Sequence, residues 1–191
     1  MRVTREQAAE NRERIVQAAA KLFRERGFDG IGVADLMKSA GLTHGGFYGH
    51  FRSKDDLAAE ACARALEKSV EKWDRLATES PGDPLGAIAG SYLSQTHIDK
   101  PGSGCLIAAL GPDVARQGKS VRRTMTEGLR TMMERLTGWV PGKSKAERRR
   151  SAIASYAAMV GAMVMARGVD DPDLADEILR TVLASLPLKA H

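Results

Sequence analysis

Apolar residues in this chain recur every three to four positions, and no stretch alternates in the two-residue rhythm of a strand. Ile15, Ala18, Ala19, Leu22 and Phe23 make one face of a helix over 5–26, which Gly27 stops. Val33, Leu36, Met37 and Ala40 repeat the spacing over a shorter stretch that ends at Gly41, and a new start follows at Thr43. Phe47 and Phe51, four apart, give the next short helix an inward face. Helix, glycine turn, helix is the pattern over 33–51.

Ser53 predicts a cap, with Asp55 and Asp56 in the first turn where the helix dipole favours acids. The helix behind it runs to about 78, with Leu57, Ala61, Cys62, Leu66, Val70, Trp73 and Leu76 as a broad stripe. Further helices are expected near 84–98, 104–116, 119–138, 144–167 and 172–185. They are separated by Pro81–Pro84, Lys100–Gly104, Gln117-Gly118, Pro141–Lys143 and Asp170–Pro172. The expected fold is all-α: an N-terminal three-helix helix-turn-helix domain followed by a C-terminal helical bundle. The division falls at 1–54 and 55–191.

Charge agrees with that division. Residues 1–54 carry 10 Lys and Arg against 6 Asp and Glu, and the remainder 19 against 18, so most of the net +5 sits in the first quarter. A basic end on a near-neutral body is the electrostatic footprint of nucleic-acid binding. The longest weakly polar run, Ala152–Ala166, falls short of the roughly 20 apolar residues of a membrane crossing. The charged start at Met1–Glu6 has no apolar export segment behind it. Cys62 and Cys105 form no C-x-x-C pattern, and His44 and His50 point to different sides of a helix. Neither a metal site nor a cofactor is expected, and a reducing cytoplasm fits.

The window from Ala34 to Leu57 joins Gly41-Leu42-Thr43, Phe47-Tyr48, His50-Phe51 and Ser53-Lys54 with Leu57 in one register. It resembles the signature of the TetR family of repressors, with the likeness covering about residues 10–57. The resemblance implies that Thr43 caps the recognition helix and touches DNA, that Tyr48 and His50 hold phosphates, and that Lys54 does so from the start of the next helix. Phe47, Phe51 and Leu57 would be core. The residues themselves agree: Tyr48 and His50 lie off the Phe47/Phe51 face with polar tips free for phosphate oxygens, and Arg2, Arg5, Arg52 and Lys54 surround them with positive charge.

Gly45, Gly46 and Gly49 each cost roughly 1 kcal/mol relative to alanine in a helix interior. Their bare backbone would come close to the groove and leave Thr43 and His44 nearest the base edges. Where the family has a hydroxyl residue at the start of the preceding helix, this chain has Gly30-Ile31-Gly32-Val33, so Gly32 is expected as a permissive cap whose backbone N–H can serve a phosphate.

The resemblance further implies a homodimer on a palindromic double-stranded operator, with recognition helices about 34 to 36 Å apart. A small-molecule effector would bind behind the DNA-binding domain, and the long helix after Ser53 would transmit its presence. Trp73, Tyr92, His97, Met125, Met132, Met133, Tyr156, Met159 and Met163 are the candidate pocket residues, as methionine and aromatic side chains line adaptable apolar cavities. For any single one of them, core packing is the first account and pocket lining the second. The last two helices are the expected dimer interface, through Ala157, Ala158, Gly161, Ala162 and Ala166 and the apolar face of 174–186.

Pro101-Gly102-Ser103-Gly104 delivers Cys105 to a helix start, where a thiolate is stabilised. Ser103-Gly104-Cys105-Leu106 resembles the same helix start in a TetR subgroup that includes regulators responding to electrophiles or oxidants. A small buried residue closing the helix is the alternative role. Two other functions compete with ligand-responsive regulation: a thiol-dependent redox protein using Cys105, and a helical dimer that binds other proteins. No resolving cysteine, phosphate loop or Ser/His/Asp set favours an enzyme.

Overall fold

A computed structural model describes residues 4–188. Arg2 therefore lies outside the described residues. Among these the fold is helical and contains no strand. The helices are α1 (Arg5–Arg26), α2 (Val33–Ser39), α3 (Lys54–Glu79), α4 (Pro84–Tyr92), α5 (Gln95–Asp99), α6 (Leu106–Val114), α7 (Lys119–Trp139), α8 (Lys145–Gly168) and α9 (Pro172–Ser185). Two 3₁₀ segments, His44–Gly49 and Pro101–Ser103, complete the order. The chain divides into two compact units: residues up to Glu67 with Pro101–Glu127, and Lys68–Lys100 with the residues from Gly128 onward.

In the first unit, α1 starts where the Thr4 hydroxyl accepts the Gln7 N–H at 3.1 Å and stops at Gly27, whose φ of 76° suits glycine. Its buried set includes Val16 and Ala20 beside the expected Ile15, Ala19, Leu22 and Phe23. The wider stripe follows from α1 packing against α2 and also against Pro101–Ser103 and α6. Leu36, Met37, Phe47, Phe51 and Leu57 close the core around it. Arg12 makes a bidentate ion pair with Glu60 while its guanidinium stacks 4.6 Å above the Phe51 ring, and Arg64 pairs with Glu13 at 2.8 Å. These pairs are partly solvated, so they fix the register of α1 against α3 more than they add stability.

The second unit is capped with equal care. Ser144 and Glu147 form a reciprocal capping box on α8, and Asp171 accepts the N–H groups of Asp173 and Leu174 at the start of α9, where Pro172 needs no donor. One helix expected over 84–98 is two, α4 and α5, broken at Leu93-Ser94 where Ser94 takes an extended backbone. Likewise, the helix expected from 104 begins at Leu106, with Cys105 at its cap position. No described helix is long and apolar enough to cross a membrane.

Candidate nucleic-acid interface

The turn of the helix-turn-helix is held by backbone geometry that a side chain would oppose. Gly41 has a φ of 70°, and a Cβ there would sit 2.7 Å from Nη2 of Arg14. That same nitrogen donates to the Ala40 carbonyl at 2.6 Å, and the Leu42 N–H closes on the Met37 carbonyl at 2.9 Å. Arg14 thus ties α1 to the turn, a contact with no signature in the periodicity of α1.

After the turn the structure departs from the expected α-helix. His44–Gly49 is a 3₁₀ helix, begun at Thr43, whose carbonyl accepts the Gly46 N–H at 3.1 Å while its hydroxyl makes no cap bond. Three glycines in six residues remove most of the preference for an α-helix, and the buried Phe47 fixes a short, tight turn instead. The cap function expected of the Thr43 hydroxyl is therefore carried by its backbone, which leaves the hydroxyl unused by the segment.

Every residue of this segment can be placed. Thr43, His44, Gly45, Tyr48 and Gly49 are exposed, Gly46 and His50 half-buried and Phe47 wholly buried. Tyr48 is 71% exposed, the largest value among the exposed large apolar and aromatic side chains, although its ring rests edge-on against Phe47 at 5.3 Å. Nothing lies within 4 Å of a Cβ placed on Gly45 or Gly49, and neither has a positive φ. The fold does not demand glycine at either position.

Around the segment, Arg52 is exposed and Lys54 is half-buried in the first turn of α3, and among the described residues neither is in an ion pair. Ser53 accepts the Asp56 N–H at 3.1 Å, as a cap should. Gly32 caps α2 by backbone alone and is exposed, and Arg5 is exposed at the first position of α1. His50 and Arg52 also line a cleft of about 380 Å³ with Arg12, Asp56, Glu60 and Thr124.

The candidate pocket residues fall into two groups. In the second unit Tyr156 stands edge-on to Trp73 at 5.4 Å and to Tyr92 at 6.3 Å, and its hydroxyl reaches the Met132 sulfur at 3.8 Å. Tyr92 in turn meets the His97 ring at 4.6 Å, while His97 Nδ1 lies 2.7 Å from the Tyr92 carbonyl. Met133, Met159 and Met163 are buried in the same unit. Met125 belongs to the first unit, in a cleft of about 310 Å³ with Val114, Lys119, Arg122, Arg123 and Thr126. Among the described residues no group of three or more His, Cys, Asp or Glu side chains could hold a metal ion.

Both cysteines lie in the first unit, both are buried, and neither is in a disulfide. Burial pushes the Cys62 thiol up from 9.0 to about 12, against the opposing pull of Arg24. A thiol held protonated is a poor nucleophile, which favours packing over reaction for the buried Cys62. The folded chain holds this proton more tightly than the unfolded chain, so the associated stability is complete below pH 9 and is lost as pH rises toward 12. Urea unfolding between pH 8 and 10.5 should therefore show wild type weakening more steeply than Cys62→Ala, by up to about 1.4 kcal/mol per pH unit. Parallel curves would contradict that assignment. Cys105 differs in place: it is the cap residue of α6, its carbonyl accepts the Ala109 N–H at 3.2 Å, and Gly104 before it accepts a bond from Arg24 at 2.8 Å.

Comparison with known proteins agrees with this geometry. Residues 15–61 match the family model described as bacterial regulatory proteins, tetR family. The HTH-type transcriptional regulator AcrR of Shigella flexneri is 32% identical over 87 residues, 46% of this chain and 40% of that protein. The HTH-type transcriptional repressor NemR of Escherichia coli K12 is 28% identical over 131 residues, 67% of this chain and 66% of that protein. The chain thus spans about two-fifths to two-thirds of the length of these relatives. The crystal structure of reduced E. coli NemR has the same fold, with a TM-score of 0.79 at 24% identity over 95% of this chain and 99% of that one. A TetR-family regulator from Agrobacterium tumefaciens gives a TM-score of 0.76 at 20% identity, over 94% and 99%.

Proposed function

We propose that this chain, whose residues 15–61 match the model of the TetR family of bacterial regulatory proteins, is a homodimeric transcriptional repressor of that family, working in the cytoplasm on a palindromic operator. The observation that carries the reading is the exposed segment Thr43–Gly49, built on a buried Phe47 and flanked by the cations Arg52 and Lys54. In this reading residues 1–54 bind DNA and 55–191 sense an effector and dimerise. Tyr48, His50, Arg52, Lys54, Arg5 and the Gly32 N–H position the duplex through its phosphates. Thr43 and His44 face base edges, and the bare backbone at Gly45 and Gly46 permits close approach.

The effector is a small molecule received by the Trp73, Tyr92, His97, Met132, Tyr156, Met159 and Met163 cluster, or an electrophile that modifies Cys105. Addition of the sulfur to an activated C=C returns the thiol proton to the adjacent carbon, so nothing is oxidised and no second cysteine is required. The position of Cys105 supports this, at the start of α6 and in the compact unit that also holds the recognition segment.

A salt series with an operator-length duplex tests the DNA reading. Tyr48→Ala should weaken binding by about tenfold at every salt concentration, the loss of one hydrogen bond to a charged group. Lys54→Ala should instead reduce the slope of log affinity against log salt by about 0.9. If wild-type affinity is indifferent to salt and to both substitutions, this surface is not the DNA interface.

A further inference from the structure

Arg24 is the residue on which two parts of the first unit meet. Its Nε donates to the Ala20 carbonyl and its Nη1 to the Gly104 carbonyl, both at 2.8 Å, so the guanidinium is pinned between the C-terminal part of α1 and the residue that precedes Cys105. Burial pulls its pKa down, and Cys105 first, then Cys62 and Glu25, act in the opposite sense. The cation is therefore within electrostatic reach of both thiols. Two further contacts seat the same segment on α1: Gly102 lies against the Glu25 side chain so closely that a Cβ would collide with it, and a Cβ at Gly27 would meet Asp113 of α6 at 3.4 Å.

The middle of α1 holds the turn of the helix-turn-helix motif. Arg14 donates to the Ala40 carbonyl at 2.6 Å. Arg14 and Arg24 are ten residues apart on one continuous helix, a lever of about 15 Å.

We propose that Arg24 is the positioning residue that couples the state of Cys105 to the DNA-binding motif through α1. This rests on the reading of Cys105 as the sensor. A group added to Cys105 takes space beside the guanidinium and displaces the Gly104 carbonyl, which frees the end of α1. The helix then shifts as a unit, and Arg14 carries the shift to the turn at Ala40-Gly41. A rigid element held at two separate points transmits such a change, and α1 is held at its middle and near its C-terminal end by arginine-to-carbonyl bonds. The route needs no movement of the second unit.

The test measures affinity for one duplex, chosen by selection with wild-type protein, before and after N-ethylmaleimide, with labelling of Cys105 followed by mass spectrometry. Wild type should lose about tenfold or more on labelling, and Arg24→Gln labelled to the same extent should lose less than about twofold. Arg24→Lys keeps the charge and a single donor, and should recover an intermediate response. Unlabelled Arg24→Gln should bind within about threefold of wild type, showing that it folds; if it does not fold, Arg24→Lys carries the comparison. An Arg24→Gln protein as responsive as wild type overturns the coupling role and leaves Cys105 sensing in place. A wild-type protein fully labelled at Cys105 and unchanged in affinity overturns the sensor reading, and the coupling with it.

Discussion

Phe47→Ala should cost about 3–5 kcal/mol of stability and remove DNA binding with it. Phe47 is fully buried, with the Tyr48 ring at 5.3 Å on one side and the Phe51 ring at 5.7 Å on the other. Its own segment is a six-residue 3₁₀ helix with three glycines, which has little intrinsic stability. The benzyl side chain is thus the main force holding the recognition segment against α2, and truncation leaves a cavity that such a short segment cannot span. Natural domains have about 5–15 kcal/mol in total, so the loss is a large fraction of what exists. Urea unfolding gives the number. Phe47→Leu, which refills most of the volume, should lose less than about 1.5 kcal/mol and keep affinity. Equal losses in the two variants would mean that packing at this site does not hold the segment.

The second large effect is expected at α8. Ile153 and Val164 are 48% and 44% exposed and fall on one helical face with Ala157 and Gly161, both also exposed. Leu174 of α9 is exposed as well. Of the small residues expected at the interface, Ala162 and Ala166 are instead buried within the chain, since α8 also packs against α9 and α5. The outward face is therefore narrower than the sequence implies and centres on Ala157, Gly161 and Val164.

Val164→Glu should leave the isolated chain folded, because the position is accessible to water, yet place an unpaired carboxylate in a dimer interface at a cost of several kcal/mol. Sedimentation should then show single chains. Operator affinity should fall by about a hundredfold or more, as two half-sites are no longer engaged together. A dimer that persists in Val164→Glu would assign the interface to another face.

What was legible in the sequence follows from how local the determining physics is. Helix limits set by a glycine, proline or capping side chain were readable: Gly27, Gly41, Ser53 and the break at Asp170–Pro172 all stand where pattern and chemistry agree. The break at Leu93-Ser94 was not, because no glycine or proline marks it. The 3₁₀ form of His44–Gly49 was foreshadowed by its glycines, but whether they loosen an α-helix or tighten it depends on the anchorage of Phe47 across the unit. Val16 and Ala20 lay outside the predicted stripe because a helix contacted on two sides needs two stripes.

At the site, residue identities were readable and their connections were not. Thr43, His44, Tyr48, Arg52 and Lys54 announce themselves by type and spacing. The ties from Arg14 to Ala40 and from Arg24 to Gly104 join residues 26 and 80 apart, and periodicity carries no trace of such pairs. They decide how a change at Cys105 can be felt at the turn.

Selection of bound duplexes from random DNA bears most directly on the central claim, that the segment Thr43–Gly49 and its basic surroundings read an operator. The account predicts enrichment of a two-fold-symmetric sequence whose half-sites are centred one helical turn, about 10–10.5 base pairs, or a multiple of it apart. Substitution of Thr43 or His44 should alter the preferred bases, while Tyr48→Ala should weaken binding to all of them alike. Recovery of unenriched sequences by wild-type protein, or a preference unchanged by Thr43→Ala and His44→Ala together, would contradict it.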